Sequence, residues 1–200
     1  MDSILKNQDV IFAHCLTQNG GAGNPFSNGK DLYQRISDTL NNKPEISCST
    51  IKSGDTLKYL EITNFFGPVG LILNNVKVTF ASPTDCGTRV LESGKRDYEL
   101  TDETTPTEAN ILNAILNRPE KCYNELCSDS YNVFGFFLCF DDTQYLYQNI
   151  ISENKFYEKT KQFNLPYFNL SKGVLYKSEY DTVGNCFVFN GEFSNSEIYG

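Results

Sequence analysis

Apolar and polar positions divide the 200 residues into short runs with two different periods. Asp9-Val10-Ile11-Phe12-Ala13-His14 is a compact apolar run and predicts a strand ending at His14. Asn19-Gly20-Gly21-Ala22-Gly23-Asn24-Pro25 is dense in turn formers and predicts a loop. Over residues 30–40, Leu32, Tyr33, Ile36 and Leu40 recur at helical spacing, and Asn41-Asn42-Lys43-Pro44 should stop that helix. Residues 45–51 alternate as a strand does. Residues 65–73 and 76–81 read as two strands turning at Asn74-Asn75. Residues 82–105 are polar and charged, and read as a loop beside an active site or an insertion. Thr107-Glu108-Ala109-Asn110 opens a helix to Leu116, with Thr105 or Thr107 as its N-cap. Two further strands, 121–127 and 132–140, are joined by a polar turn. After Asp141-Asp142, residues 144–163 read as helical, and 167–168, 173–176 and 186–189 as short strands. The sum is an α+β domain with a largely antiparallel sheet and two or three helices. Residues 1–140 form its catalytic-like part. Residues 141–200 form a helix-plus-strands extension packed on the same domain.

Composition supports a folded chain: 40% of residues are hydrophobic and 14% aromatic, enough for a sizeable core. The net charge of −8 and pI near 4.7 argue against nucleic acid, since no Lys/Arg cluster offsets the field locally. A small anionic ligand in a local pocket stays compatible. The seven cysteines have irregular spacing, no C-x-x-C pair and one histidine to join them, which argues against structural zinc and for buried thiols in a reducing cytosol. No Sec-type leader and no run of 18 apolar residues is visible. The expected setting is the cytoplasm, or a host cytoplasm reached without a Sec signal.

Chemistry concentrates in three places. Tyr123-Asn124-Glu125-Leu126, followed by a turn and the apolar run at 133–140, resembles the catalytic hairpin of the ADP-ribosyltransferase superfamily in its polymerase-like branch. The resemblance implies that Glu125 hydrogen-bonds the nicotinamide ribose of NAD and steers the acceptor. A carboxylate there stabilises the oxocarbenium-like cation formed as the glycosidic bond breaks. His14, the sole histidine, ends its strand as the family's first motif does, which implies that it donates a hydrogen bond to the adenosine ribose. Ser47-Cys48-Ser49-Thr50 is similar to the Ser-Thr-Ser strand that braces the NAD pocket in the toxin-like branch, which implicates Ser49 and Thr50.

The resemblance spans residues 9–140 and has gaps. Phe66-Gly67-Pro68-Val69-Gly70 lacks the tyrosine that stacks on nicotinamide, leaving Phe66, Phe65 or Tyr59 to replace it. Position 123 is Tyr where a second carboxylate would direct transfer to arginine, and the first-motif arginine is missing unless Arg35 serves. The implied function is NAD-dependent mono-ADP-ribosyl transfer to a protein target, fitting a toxin-like bacterial effector in a host cell. On the residues alone, Glu125 also reads as an exposed carboxylate on the polar face of an edge strand and His14 as a strand-end residue satisfying a loop carbonyl. Two other classes stand beside the transferase. One is cysteine-dependent acyl transfer by Cys48, His14 and Asp85. The other is a non-enzymatic interaction module using a sheet edge or the Phe/Tyr-rich surface.

Overall fold

A computed structural model describes residues 1–16, 31–55, 69–81, 106–116, 125–139, 141 and 152–200. Among these, the apolar run at the start of the chain forms β1, Val10–Leu16. Val10, Phe12 and Leu16 bury one face of it; Ile11 and Ala13 bury the other. A strand covered on both faces needs the unbroken apolar run seen here, not an alternating one. Helix α1 (Asp2–Asn7) precedes it and α2 (Leu32–Asn42) follows. The Asp31 side chain accepts the Gln34 N–H at the start of α2, and Lys43 ends it in the left-handed region, in agreement with the stop at 41–44.

Strands β2 (Ile46–Lys52), β3 (Val69–Ala81) and β4 (Glu125–Cys139) come next, with α3 (Glu108–Leu116) between β3 and β4. Thr107 is the N-cap of α3, accepting from the Asn110 N–H. Helix α4 (Glu153–Thr160) continues into a 3-10 turn at Lys161–Phe163, and β5 (Tyr167–Ser171), β6 (Val174–Asp181) and β7 (Cys186–Phe193) follow. A last 3-10 turn covers Asn195–Ile198. The described architecture is α+β, with one seven-stranded, mostly antiparallel sheet in the order β2-β1-β3-β4-β5-β6-β7. The parallel contact is β4–β5, and β5–β7 continue the sheet begun by β1–β4.

Two expected turns are corrected. Residues 74–75 do not reverse the chain; β3 runs straight through them with a bulge, and Asn75 takes a positive φ. Residues 128–131 do not reverse it either. What reads as two strands around a polar turn is the single strand β4, paired with β3 from Val69↔Leu138 to Ala81↔Leu126. The hairpin part of the family resemblance is therefore absent, and Glu125 begins a long strand. The helix expected over 144–163 is shorter where it is described, covering Glu153–Thr160 and its 3-10 extension. Helix α1 was not expected.

The pairing does not end at β4. Residues 46–49 of β2 pair with β4, so β2, β1, β3 and β4 close into a ring of ladders. Leu5, Leu32, Ile36, Ile111, Ile115 and Phe156 from the four helices join the apolar cluster on the Phe12 face. The Ile11 face is filled by Phe168, Leu170, Leu175, Phe193 and Ile198 from the C-terminal part. That part is locked down at the β5–β6 turn. Gly173 has φ +71°, and a Cβ there would lie 1.7 Å from the Lys52 carbonyl oxygen.

Candidate functional site

The ring of ladders requires β1 and β2 to divide their pairing. Residues 10–13 of β1 pair with 52–49 of β2, whereas 13–16 of β1 pair with 72–69 of β3. Likewise β2 uses 49–52 for β1 and 46–49 for β4. The two strands part at Ala13 and Ser49. Beyond that point, strand alternation aims the Ser47 carbonyl toward a side that β1 has left. His14 fills the fork: its Nδ1 lies 2.7 Å from the Ser47 oxygen. A carbonyl oxygen only accepts, so Nδ1 carries the proton.

Burial pushes the His14 pKa down to about 4; the bond to Ser47 acts the other way, and the nearby Arg35 guanidinium lowers it further. The ring is thus neutral near pH 7, and Nε2 is a hydrogen-bond acceptor. Arg35 comes from the apolar stripe of α2, is 7% exposed, and has its own pKa lowered by burial. Gly70 of β3 lies behind the fork, where a Cβ would be 2.4 Å from the His14 carbonyl oxygen, so only glycine fits.

Ser49, 7% exposed, and Thr50, also buried, sit on β2 at the fork. Ser49 is the Cα partner of both Ala13 and Glu125, so one row crosses β1, β2 and β4 beside His14. Two strand spacings place the Glu125 backbone roughly 10 Å from that of Ala13. The Glu125 side chain lies outside the described residues, as do Phe66, Phe65, Tyr59 and Asp85. The structure thus brings together the backbones of His14, Ser49, Thr50 and Glu125, residues widely separated in sequence.

Cys48 is 1% exposed in mid-strand, with its sulfur 3.9 Å from the Ile46 oxygen. A thiol inside a strand is not itself at a helix N-terminus that would acidify it, and its burial leaves no open approach. An imidazole that protonates only near pH 4 is also a weak general base at neutral pH. Cys15, Cys48, Cys127, Cys139 and Cys186 carry thiols. Among the described residues no cluster of three or more His, Cys, Asp or Glu could hold a metal, and no helix is long and apolar enough to cross a membrane.

Sequence reasoning missed the Ser47 carbonyl, which matters only because of the register and leaves no trace in composition. Arg35, named from the sequence as a substitute for the first-motif arginine, lies near His14 on the apolar stripe of α2, three residues after Leu32 and one before Ile36. In comparisons with known proteins, the chain matches no family model and no curated protein.

Proposed function

We propose that the chain transfers ADP-ribose from NAD to a protein acceptor, with the β1/β2 fork as its site and the cytoplasm, its own or a host's, as its setting. The observation that carries this reading is the row Ala13–Ser49–Glu125 at the fork beside His14. It brings the backbones of His14, Ser49 and Glu125 together on three neighbouring strands, with Ser49 on the Ala13 face of the sheet and His14 on the Phe12 face. In this reading His14 departs from the donor role that the resemblance implies: Nδ1–H is taken by Ser47, and the neutral Nε2 accepts a hydrogen bond from a ribose hydroxyl. Ser49 and Thr50 brace the ring of pairings around it, Phe66 stacks on the nicotinamide, and the Glu125 carboxylate stabilises the cation developing on the nicotinamide ribose. The N-glycosidic bond breaks, nicotinamide leaves with the bonding pair, and the acceptor atom bonds to C1′ and gives up its proton.

Acyl transfer by Cys48 fits less well, for the two reasons given above. The test is nicotinamide release from NAD by the purified chain, with and without a host-cell extract as acceptor. Release that falls at least about 100-fold in Glu125→Gln supports the reading, that being the size of a lost electrostatic contact to the transition state. No release by the wild type, or equal release by the variant, rejects it.

A further inference from the structure

β1 has a second fork, on its other edge. Alternation puts the backbone N–H and C=O groups of residues 10, 12 and 14 on the β3 side. His14 and Leu16 meet Leu71 and Val69 there, but β3 swerves at the bulge after Ile72, and its ladder with β1 stops at Ala13. Among the described residues, no strand meets the backbone groups of Phe12 and Val10 on this edge. Tyr199 takes the strand's place. Its hydroxyl accepts the Phe12 N–H at 2.9 Å and donates to the Val10 carbonyl at 2.8 Å. Burial holds the phenol proton well above its ordinary range, so the hydroxyl keeps both roles. The segment carrying it is anchored on both sides of the gap. Asn74 of the swerving β3 donates to the Ile198 carbonyl at 2.8 Å, Asn195 reaches the Asp9 carbonyl at 3.5 Å, and Ile198 is fully buried.

We infer that Tyr199 is a positioning residue for the His14 fork: its hydroxyl replaces the missing β3 ladder at Phe12 and so fixes the stretch of β1 that aims His14 at Ser47. Phe12 and His14 are two residues apart on one face of the same strand, with a polar pin at each. The pin at Phe12 comes from the far end of the chain, so the C-terminal segment is part of the site. The importance for transfer rests on the proposed function; the mechanical coupling does not.

The single histidine makes the test direct, because its imidazole signals in NMR need no assignment among others. Among the described residues, Arg35 of α2 is the charged group felt by the ring; Cys48 and Thr50 share its face from β2, and Leu71 from β3 is not titratable. In Tyr199→Phe the His14 titration midpoint should rise by about one unit or more toward the free value, and the Nδ1–H signal should exchange faster. Asn74→Ala, which loosens the segment without touching the phenol, should move both in the same direction by less, and serves if Tyr199→Phe does not fold. The inference is overturned if amide exchange at Phe12 accelerates while both His14 signals stay as in the wild type. Nicotinamide release is read separately. A moved His14 signal in a chain that releases no nicotinamide removes the transferase reading and keeps the coupling.

Discussion

His14 donates from Nδ1 to the carbonyl oxygen of Ser47 across 2.7 Å, at the point where two strands that pair on one side of Ala13 separate on the other. The bond satisfies a backbone acceptor that register has deprived of a strand, and it fixes the proton on Nδ1. This relationship makes His14 structural whatever ligand the fork takes.

The first prediction concerns pH. The His14 pKa is about 4 when folded, against 6.5 for a free histidine. Between these values the unfolded chain binds the extra proton and the folded chain does not. Stability therefore falls as pH drops from 6.5 to 4 and is unaffected by this group above 6.5. The loss is at most about 3.5 kcal/mol, from about 1.4 kcal/mol per unit. His14→Asn keeps a donor for Ser47 and cannot titrate. The difference between wild-type and variant unfolding free energies, measured by urea melts from pH 7 to 4, should shrink along that window. A constant difference would show that His14 titrates normally.

A second prediction lies at the lock between the C-terminal strands and β2. Gly173 combines φ +71° with a Cβ position 1.7 Å from the Lys52 oxygen, and the Lys172 carbonyl accepts the Gly54 N–H beside it. Gly173→Ala must move backbone as well as adopt a strained φ, at a cost of about 3 kcal/mol or more. Gly191 also has positive φ, yet nothing lies within 4 Å of its Cβ position. Gly191→Ala should cost about 1 kcal/mol, the conformational part alone. Equal thermal shifts for the two would mean that the Lys52 contact yields freely.

Much of the fold was legible from spacing alone. Residues 10–14, 32–40, 45–51 and 107–116 gave their elements because their burial follows a simple period. The misread segments share a cause. Asn74-Asn75 and Ser128–Tyr131 are polar, and polar runs between apolar ones read as turns. Here they lie along a bulged ladder, in which Asn74 pairs with Asn132, Lys77 with Ser130 and Val78 with Ser128, and the structure supplies their partners. The Asp2 carboxylate accepts the Asn75 and Val76 N–H groups at 2.7 and 3.3 Å, and the Ser128 hydroxyl donates to the Lys77 carbonyl at 2.7 Å. Helix α1, which carries Asp2, is six residues long with only Leu5 buried and no side-chain cap, too little pattern to detect. At the site, residue types pointed to His14, Ser49, Thr50 and Glu125. The Ser47 carbonyl and the Tyr199 hydroxyl could not be read, because both act through register set by distant pairings.

That account of the bulge makes a third prediction. Asp2→Ala removes the acceptor for two bulge N–H groups, and should cost about 1 kcal/mol in thermal or urea unfolding. Asp2→Asn keeps an acceptor and should lose less. If both variants match the wild type, the bulge holds itself and the Asp2 contacts are incidental.

The fourth prediction concerns the open edge of the sheet. Among the described residues β7 pairs with β6 alone, and its first part, Cys186-Phe187-Val188-Phe189, is uncharged and rich in strand-forming residues. Such an edge invites pairing with other chains. Helix α4 covers the start of it: Glu153, the first residue of that helix, accepts the Phe187 N–H at 2.6 Å, and Asn154 bonds Asn185 at 3.3 Å. The carboxylate also faces the positive end of its own helix. A second guard is the register shift after Lys177, which interrupts the β6–β7 ladder before Gly191. Glu153→Ala leaves one guard and uncovers a backbone donor, which should cost about 1–2 kcal/mol and raise concentration-dependent association in light scattering. Glu158→Ala is the control, since that carboxylate meets Lys161 at the surface of the same helix. It should leave both readouts unchanged. Association by both variants to the same degree would trace the effect to lost negative charge on an acidic protein, and not to the edge.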